Sequence, residues 1–184
     1  MSITRIPMTK KGYQQLCDEL ERFKRIERPK NIQDIAEARA HGDLSENAEY
    51  HVAKERQSFI EGKIRDLESK IGSAEVIDIS RLSTEKVVFG TSVKICDIDN
   101  GEEKCYTIVG QDEADLKNRK ISIHSPVGRA LIGKRIGDIA KVNTPVKVVE
   151  YEIMIIGSLP IQADKITRLQ AWVSARSNRA QAAD

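Results

Sequence analysis

The sequence is poor in aromatic residues and cysteine, and it lacks both a strong net charge and a long hydrophobic run. Aromatic residues make up only 4% of the 184 positions, which excludes a core built around large rings and favours small aliphatic cores. A formal net charge of +2 argues against a binder of duplex nucleic acid, which normally carries an obvious basic face, and favours a protein partner. No apolar stretch approaches the roughly 20 residues that span a bilayer, which excludes a membrane-spanning helix.

The three cysteines form no CxxC pair of the kind that binds metals. An odd count without such spacing is typical of reduced thiols in a reducing compartment. Cys96 and Cys105 can face each other across a turn at residues 100–101, but two cross-strand thiols are the simpler interpretation. Residues 1–11 contain no apolar segment of the secretory kind, so we expect a cytoplasmic protein.

The composition changes partway along the chain. The first seventy-odd residues are rich in Glu, Lys, Arg, Leu, Ile and Ala, whereas Val, Ile, Thr and Gly dominate after Val76. The former residues favour helix and the latter favour strand. We therefore predict an α+β protein with a helical domain at 1–76, a β-rich domain at 77–160 and an extension at 161–184.

The first domain is predicted to be an antiparallel helical hairpin. Apolar residues recur at helical spacing over 9–39 and 45–71, and Thr9 is a suitable N-cap. Pro29 predicts a kink or a restart, with the proline in the first turn of the new segment. The connection at 41–44 is short enough to force the arms antiparallel, with Asp43 or Ser45 capping the second helix. The predicted apolar stripe comprises Tyr13, Leu16, Leu20, Phe23, Ile32, Ile35 and Ala36, and then Tyr50, Phe59, Ile60, Ile64, Leu67 and Ile71. At about 1.5 Å per residue each arm is roughly 40 to 45 Å long, which is typical of a reaching or docking device.

The second domain is predicted to be a mainly antiparallel sheet with one short helix. Strand patterns occupy residues 87–89, 91–95, 106–109, 121–123, 139–142 and 147–156. A tight hairpin is expected at Asn100-Gly101, and Ser125-Pro126 predicts a capped helix closed by Gly133. In the extension, Ile166, Leu169, Trp172 and Val173 have helical spacing, which fits either an amphipathic docking helix or a frayed end.

Asp43 and Glu46 lie three residues apart at the turn of the hairpin. This spacing can bring both carboxylates to one side of a helix start, where they suit Mg²⁺ that retains water and phosphate ligands. Acidic residues at helix N-termini are also common as caps. Their position at the end of a long rod favours the metal hypothesis, because they contribute little to a core there.

Other candidate residues are less distinctive. Basic side chains near the turn can contact an RNA backbone or can simply be solvated, namely Arg39, Lys54 and Arg56. Ser125, Pro126 and Arg129 can form a docking edge or an ordinary helix cap. The sequence contains no Ser-His-Asp or Cys-His arrangement and no glycine-rich phosphate loop, so we do not expect an autonomous enzyme.

Residues 38–50, Arg28-Pro29 and residues 125–134 together resemble the GreA-type transcription elongation factors, which are transcript cleavage factors of the GreA/GreB family. The likeness covers about residues 5–157, and a continuous turn motif of this kind is highly specific. The resemblance implies an N-terminal antiparallel coiled-coil hairpin followed by an FKBP-like domain.

The resemblance also implies a function. It implies a monomer that binds bacterial RNA polymerase at the secondary channel, with the C-terminal domain on the channel rim and the hairpin reaching inward to the RNA 3′ end. Asp43 and Glu46 match the two acidic residues of the family turn, which help to hold the second catalytic Mg²⁺ of the polymerase. The resemblance further implies that the factor binds no cofactor tightly by itself and that it stimulates the polymerase rather than acting as an enzyme.

Two alternatives stay open at this point. One is a Gre-family inhibitor that occupies the channel without promoting cleavage. The other is a coiled-coil adaptor or holdase, which leaves the acidic turn unexplained. The extension after about Leu159 departs from the family pattern, so the resemblance implies nothing about its role.

Overall fold

A computed structural model describes residues 5–40, 47–80, 84–143 and 147–157 of the chain. The chain divides into two compact units, Met1–Ile77 and Asp78–Asp184. The predicted helix of the extension, together with Asp43, Ser45 and Glu46, lies outside the described residues. Within the described ranges, no helix is long and apolar enough to cross a membrane.

The N-terminal unit is a helical hairpin closed by a short β pair. Its first arm consists of α1 (Lys10–Arg22), a π-helical turn (Phe23–Glu27) and α2 (Arg28–Ala40), and its second arm is α3 (Ala48–Ser73). The predicted hairpin is therefore confirmed. Strand β1 (Ile6–Thr9) pairs in parallel with β2 (Ala74–Ile77), a feature that the sequence pattern did not predict.

Two predicted helix signals are confirmed in the first arm. The Thr9 hydroxyl oxygen accepts a hydrogen bond from the Gly12 amide at 3.0 Å and so caps α1. Pro29 lies in the first turn of α2, and the backbone N–H of Arg28 donates to the Phe23 carbonyl in the wider π-helical turn just before it. Proline has no N–H and its ring clashes with the carbonyl four residues earlier. A widened turn at this point relieves that crowding without ending the arm.

The predicted apolar stripe is correct only in part. Four of its members form a buried cluster, with Leu16 and Leu20 packed against it: Phe23, Ile60, Ile64 and Leu67. The assignment of Phe59 and Ile32 to the buried stripe was wrong, because their side chains are 59% and 55% exposed. Successive helical residues point about 100° apart, so Ile60 and Asn31 are buried between the arms whereas the adjacent Phe59 and Ile32 are exposed.

The C-terminal unit is a five-stranded sheet in the order β5-β4-β3-β7-β6. The strands are β3 (Ser92–Asp97), β4 (Glu103–Val109), β5 (Lys120–Ser122), β6 (Ile139–Asn143) and β7 (Val148–Gly157). The short helix α4 (Pro126–Leu131) packs against one face, and 3₁₀ turns occupy Gln111–Glu113 and Leu116–Asn118. The shared core consists of Val87, Val93, Ile95, Ile108, Ile121, Leu131, Ala140, Ile153 and Ile156.

One detail of the predicted sheet was wrong. Residues 87–89 form no strand, because Val87 exchanges backbone hydrogen bonds with Gly133 and Lys134 in the loop after α4, both at 2.8 Å. The predicted mainly antiparallel sheet is confirmed, because β5 pairs in parallel with β4 while the other three strand pairs are antiparallel. The 3₁₀ turns between β4 and β5 carry the chain back along the sheet edge before it re-enters in the same direction.

The β3–β4 hairpin forms at Asn100-Gly101 as predicted. Gly101 has a φ of 72°, a backbone conformation that glycine adopts without steric cost. Cys96 pairs with Glu103 and Cys105 with Lys94, so the two cysteines are not directly opposite each other. Both are free thiols, as expected, and burial raises the pKa of the Cys105 thiol. The Cys105 thiol therefore lacks the lowered pKa that marks a reactive cysteine.

Candidate functional site

The candidate site is the hairpin end, defined here by Ala38, Arg39, Asn47 and Tyr50. The two predicted metal-binding carboxylates, Asp43 and Glu46, fall between these residues in the sequence but outside the described ranges. Their role therefore stays a prediction. The structure does show how the last turn of α2 and the first turn of α3 are joined on either side of them.

Asn47 connects the two helix ends with a single side chain. Its amide nitrogen Nδ2 donates to the Ala38 carbonyl at 2.7 Å, and its Oδ1 accepts from the Tyr50 backbone N–H at 3.1 Å. It is thus the N-cap of α3, in place of Asp43 or Ser45. Asn47 was not among the predicted caps, although asparagine is among the most favoured N-cap residues and Asn47 directly precedes the periodic pattern.

Arg39 contacts the other helix through an aromatic ring. Its guanidinium lies 5.7 Å from the centroid of the Tyr50 ring, in a cation–π arrangement. Such contacts contribute about 0.5 to 1 kcal/mol at exposed sites. Arg39 was predicted to contact RNA, and that remains a prediction; the observed contact brings the α2 and α3 ends together.

The other two predicted RNA contacts lie in separate grooves between the helices. Lys54 shares a groove of about 250 Å³ with Arg39, and its amine donates to Gln57 at 2.6 Å. Arg56 lines a different groove of about 420 Å³. Its guanidinium is paired with Glu27 at 3.0 Å and with Asp34 at 3.5 Å. Arg39 and Lys54 are therefore brought together, whereas the charge of Arg56 is already balanced within the hairpin.

Cross-arm contacts recur along the hairpin below its end. Arg28 binds Glu61 through two parallel hydrogen bonds of 2.7 and 2.5 Å. The buried side chain of Asn31 donates to the Ala53 carbonyl at 2.9 Å. Half-exposed ion pairs contribute little to stability, about 0 to 1 kcal/mol each, but bidentate geometry and a buried polar contact specify alignment. These contacts hold the two arms in one register.

The predicted docking residues lie at the start of α4. Ser125 is the N-cap: its hydroxyl accepts from the Gly128 N–H at 3.0 Å and donates to the Ser122 carbonyl at 2.7 Å. Pro126 and Arg129 are exposed, and Arg129 makes no ion pair with any other described residue. Docking stays a prediction for all three, but only Pro126 and Arg129 present side chains that the fold does not already use.

Gly128 holds α4 against the preceding turn, which yields a stability prediction. A Cβ at this position would meet the Ser122 backbone carbonyl oxygen. We expect Gly128→Ala to destabilise the C-terminal unit by about 1 to 3 kcal/mol, because overpacking against backbone forces a shift. The matched control is Gly62→Ala, where a Cβ meets nothing within 4 Å inside α3. It should stabilise the chain by up to about 1 kcal/mol. Urea unfolding of both variants checks the pair, and equal effects of one sign would contradict it.

Two family models match the chain in succession. The model described as "Transcription elongation factor, N-terminal" matches residues 6–76. The model described as "Transcription elongation factor, GreA/GreB, C-term" matches residues 82–158. The first match covers the helical hairpin with its β pair, and the second covers the sheet and α4.

Close relatives match over nearly their full length. The transcription elongation factor GreA of Thermodesulfovibrio yellowstonii is 58% identical over 150 residues, which is 82% of this chain and 95% of that protein. The GreA of Syntrophotalea carbinolica is 56% identical over 149 residues, covering 81% and 94%. The GreA of Caulobacter vibrioides is 55% identical over 150 residues, covering 82% and 96%.

Solved structures are more distant. The crystal structure of GreA factor homolog 1 (Gfh1) of Thermus thermophilus is 27% identical, covers 83% of this chain and 98% of that chain, and superposes with a TM-score of 0.39. The prokaryotic transcription elongation factor GreA/GreB from Nitrosomonas europaea is 23% identical, covers 83% and 98%, and has a TM-score of 0.38. Superpositions at this level carry no functional argument.

Proposed function

The chain belongs to the GreA/GreB family of transcription elongation factors, and from this premise we propose that it stimulates the intrinsic RNA cleavage activity of bacterial RNA polymerase. The target is the backtracked, arrested complex, in which the RNA 3′ end is extruded. The protein binds at the secondary channel and the hairpin reaches toward the active site. It works with the polymerase in the cytoplasm, as a monomer, and is not itself the enzyme.

One observation supports this proposal above the others. Asp43 and Glu46 lie in the short segment between two long helices whose ends are joined by Asn47. Carboxylates in a short connection between two antiparallel helices are poorly suited to stabilise a core of their own chain. They can enter the cavity of a larger partner, where the hairpin width of two packed helices suits a narrow channel.

The donor set fits Mg²⁺. Asp43 and Glu46 offer carboxylate oxygens, and Mg²⁺ prefers one or two carboxylates together with water and phosphate oxygens. When bound in a two-metal site, the ion activates the attacking water or stabilises the leaving oxygen of a phosphodiester. The role of this chain is to supply two carboxylates to a second ion that is otherwise weakly bound. The polymerase and the RNA supply its remaining ligands.

The C-terminal unit supplies the grip on the partner. We assign the docking role to the start of α4, where Pro126 and Arg129 are exposed beside the Ser125 cap. A rigid, capped helix start presents side chains with little loss of conformational entropy on binding. We assign contact with the extruded RNA backbone to Arg39 and Lys54, and their shared groove near the hairpin end supports this assignment.

Cleavage in a backtracked elongation complex tests the proposal. The complex is assembled with end-labelled RNA and Mg²⁺, and cleavage is timed with and without the protein while binding is measured in parallel. Faster cleavage in the presence of the protein is the expected result. Binding without acceleration would identify a channel-binding inhibitor instead, and failure to bind would overturn the proposed function entirely.

A further inference from the structure

We infer that Asn47 is a positioning residue that sets the separation of the α2 and α3 ends and thereby the placement of the acidic turn. The inference rests on the proposed function for its consequence, but on described contacts for its geometry. One side chain serves as a cap for both helices: Nδ2 bonds the Ala38 carbonyl of the first arm, and Oδ1 bonds the Tyr50 amide of the second.

The chemistry of the side chain explains the choice of asparagine. Asn carries a donor and an acceptor on one short, planar group. Ala38 lies in the last turn of α2, where carbonyl groups lack donors within the helix, and Tyr50 lies in the first turn of α3, where amides lack acceptors. Aspartate offers no donor, and serine is too short to reach across. Asn is therefore suited to satisfy both helix ends at once.

The two hydrogen bonds of Asn47, to Ala38 and to Tyr50, are called the clamp here. The surroundings of Asn47 indicate that the clamp is rigid. Ala38 is buried against the other arm, and the Arg39 guanidinium packs over the Tyr50 ring beside the same junction. Two independent contacts thus cross between the helix ends within one turn of the acidic segment. A segment of residues 41–46 cannot place its carboxylates reproducibly if the points at which it begins and ends move relative to each other.

Two substitutions distinguish the bond from Asn47 to Ala38 from the capping of α3 by the same side chain. Asn47→Ser and Asn47→Asp both keep a good N-cap oxygen for the Tyr50 amide, and both remove the donor to Ala38. Helix α3 is therefore expected to remain folded in both variants. The matched control is Asn31→Ser, which removes an equivalent asparagine-to-carbonyl bond between the arms, to Ala53, away from the hairpin end.

Cleavage kinetics with the full-length protein provide the functional test. With Asn47→Ser we expect the maximal cleavage rate at saturating factor to fall about 10- to 100-fold, the range seen when supports of metal ligands are removed. The factor concentration for half-maximal stimulation should stay unchanged, and the Mg²⁺ concentration for half-maximal cleavage should rise. Asn31→Ser should lower stability but leave the maximal rate and the Mg²⁺ dependence near wild type.

Amide hydrogen exchange tests the geometry independently. Asn47→Ser should speed exchange in the last turn of α2 and leave the first turn of α3 protected. Unchanged exchange in α2, an unchanged maximal rate, or equal rate losses in the Asn47 and Asn31 variants would each overturn the inference. If the wild-type protein failed to stimulate cleavage, the proposed function would fail, and the exchange comparison would still decide whether the clamp exists.

Discussion

Neutralising both acidic residues of the turn, with Asp43→Asn and Glu46→Gln, should abolish stimulation of cleavage while leaving binding to the polymerase intact. Both changes conserve shape and remove a negative charge, so the hairpin should fold as before. Metal-assisted charge stabilisation is worth several kcal/mol, which corresponds to about 10²- to 10³-fold in rate. We therefore expect the stimulated rate to fall to the level seen without the factor, measured as RNA cleavage in a backtracked complex.

A control variant with the same change in net charge tests whether the effect depends on the positions of the two carboxylates or only on the lost charge. Glu37→Gln with Glu49→Gln neutralises two exposed carboxylates that line a groove beside the hairpin end, so the change in net charge equals that of the test variant. This pair should cleave at nearly the wild-type rate. Two results would contradict the proposal that these carboxylates bind Mg²⁺. One is full activity of the Asp43 and Glu46 variant, and the other is a loss of cleavage rate that is explained by weaker binding to the polymerase.

The second large effect is expected at neighbouring positions in α3. Ile60→Ala should lower the free energy of unfolding of the hairpin by about 2 to 5 kcal/mol, because Ile60 is 2% exposed within the Phe23, Ile64 and Leu67 cluster. Phe59→Ala removes a larger side chain but should cost less than about 1 kcal/mol. Phe59 is 59% exposed, and its contact with Lys63 is a surface cation–π pair at 6.0 Å.

Urea unfolding followed at 222 nm measures both variants, because the helical signal comes chiefly from the hairpin. Hydrogen exchange of the α3 amides then localises the loss to this unit. Equal destabilisation at the two positions would show that the apolar stripe is broader than the structure indicates.

Several local signals in the sequence were sufficient on their own. The hydroxyl of Thr9, the ring of Pro29 and the Ser125-Pro126 pair act over one helical turn, and each forms the predicted cap or restart. Asn100-Gly101 likewise specifies its hairpin locally, through the positive φ of Gly101 and a hydrogen bond from the Glu102 N–H to Asn100 Oδ1. These particular signals were sufficient because each acts within its own turn.

Other features depended on partners that lie far along the chain. Periodicity placed both Phe59 and Ile60 on one stripe, and only the packing of the first arm decided which of them is buried. The parallel pairing of β5 with β4 depends on the path of the intervening 3₁₀ turns. The capping role of Asn47 carried a local signal, but its bond to Ala38 in the other helix is a contact that a linear pattern does not contain.

The sequence by itself determined the α+β class, the helical hairpin, the short α4 helix and the family, because these follow from local propensity, periodicity and a long specific motif. It also identified Asp43 and Glu46 as candidates through their types and spacing. Only the tertiary structure decided that Arg56 is balanced by Glu27 and Asp34, and that Asn47 joins the two helix ends. Which charges pair and which groups share a hydrogen bond depends on their proximity in space, and the order of residues does not show that proximity directly.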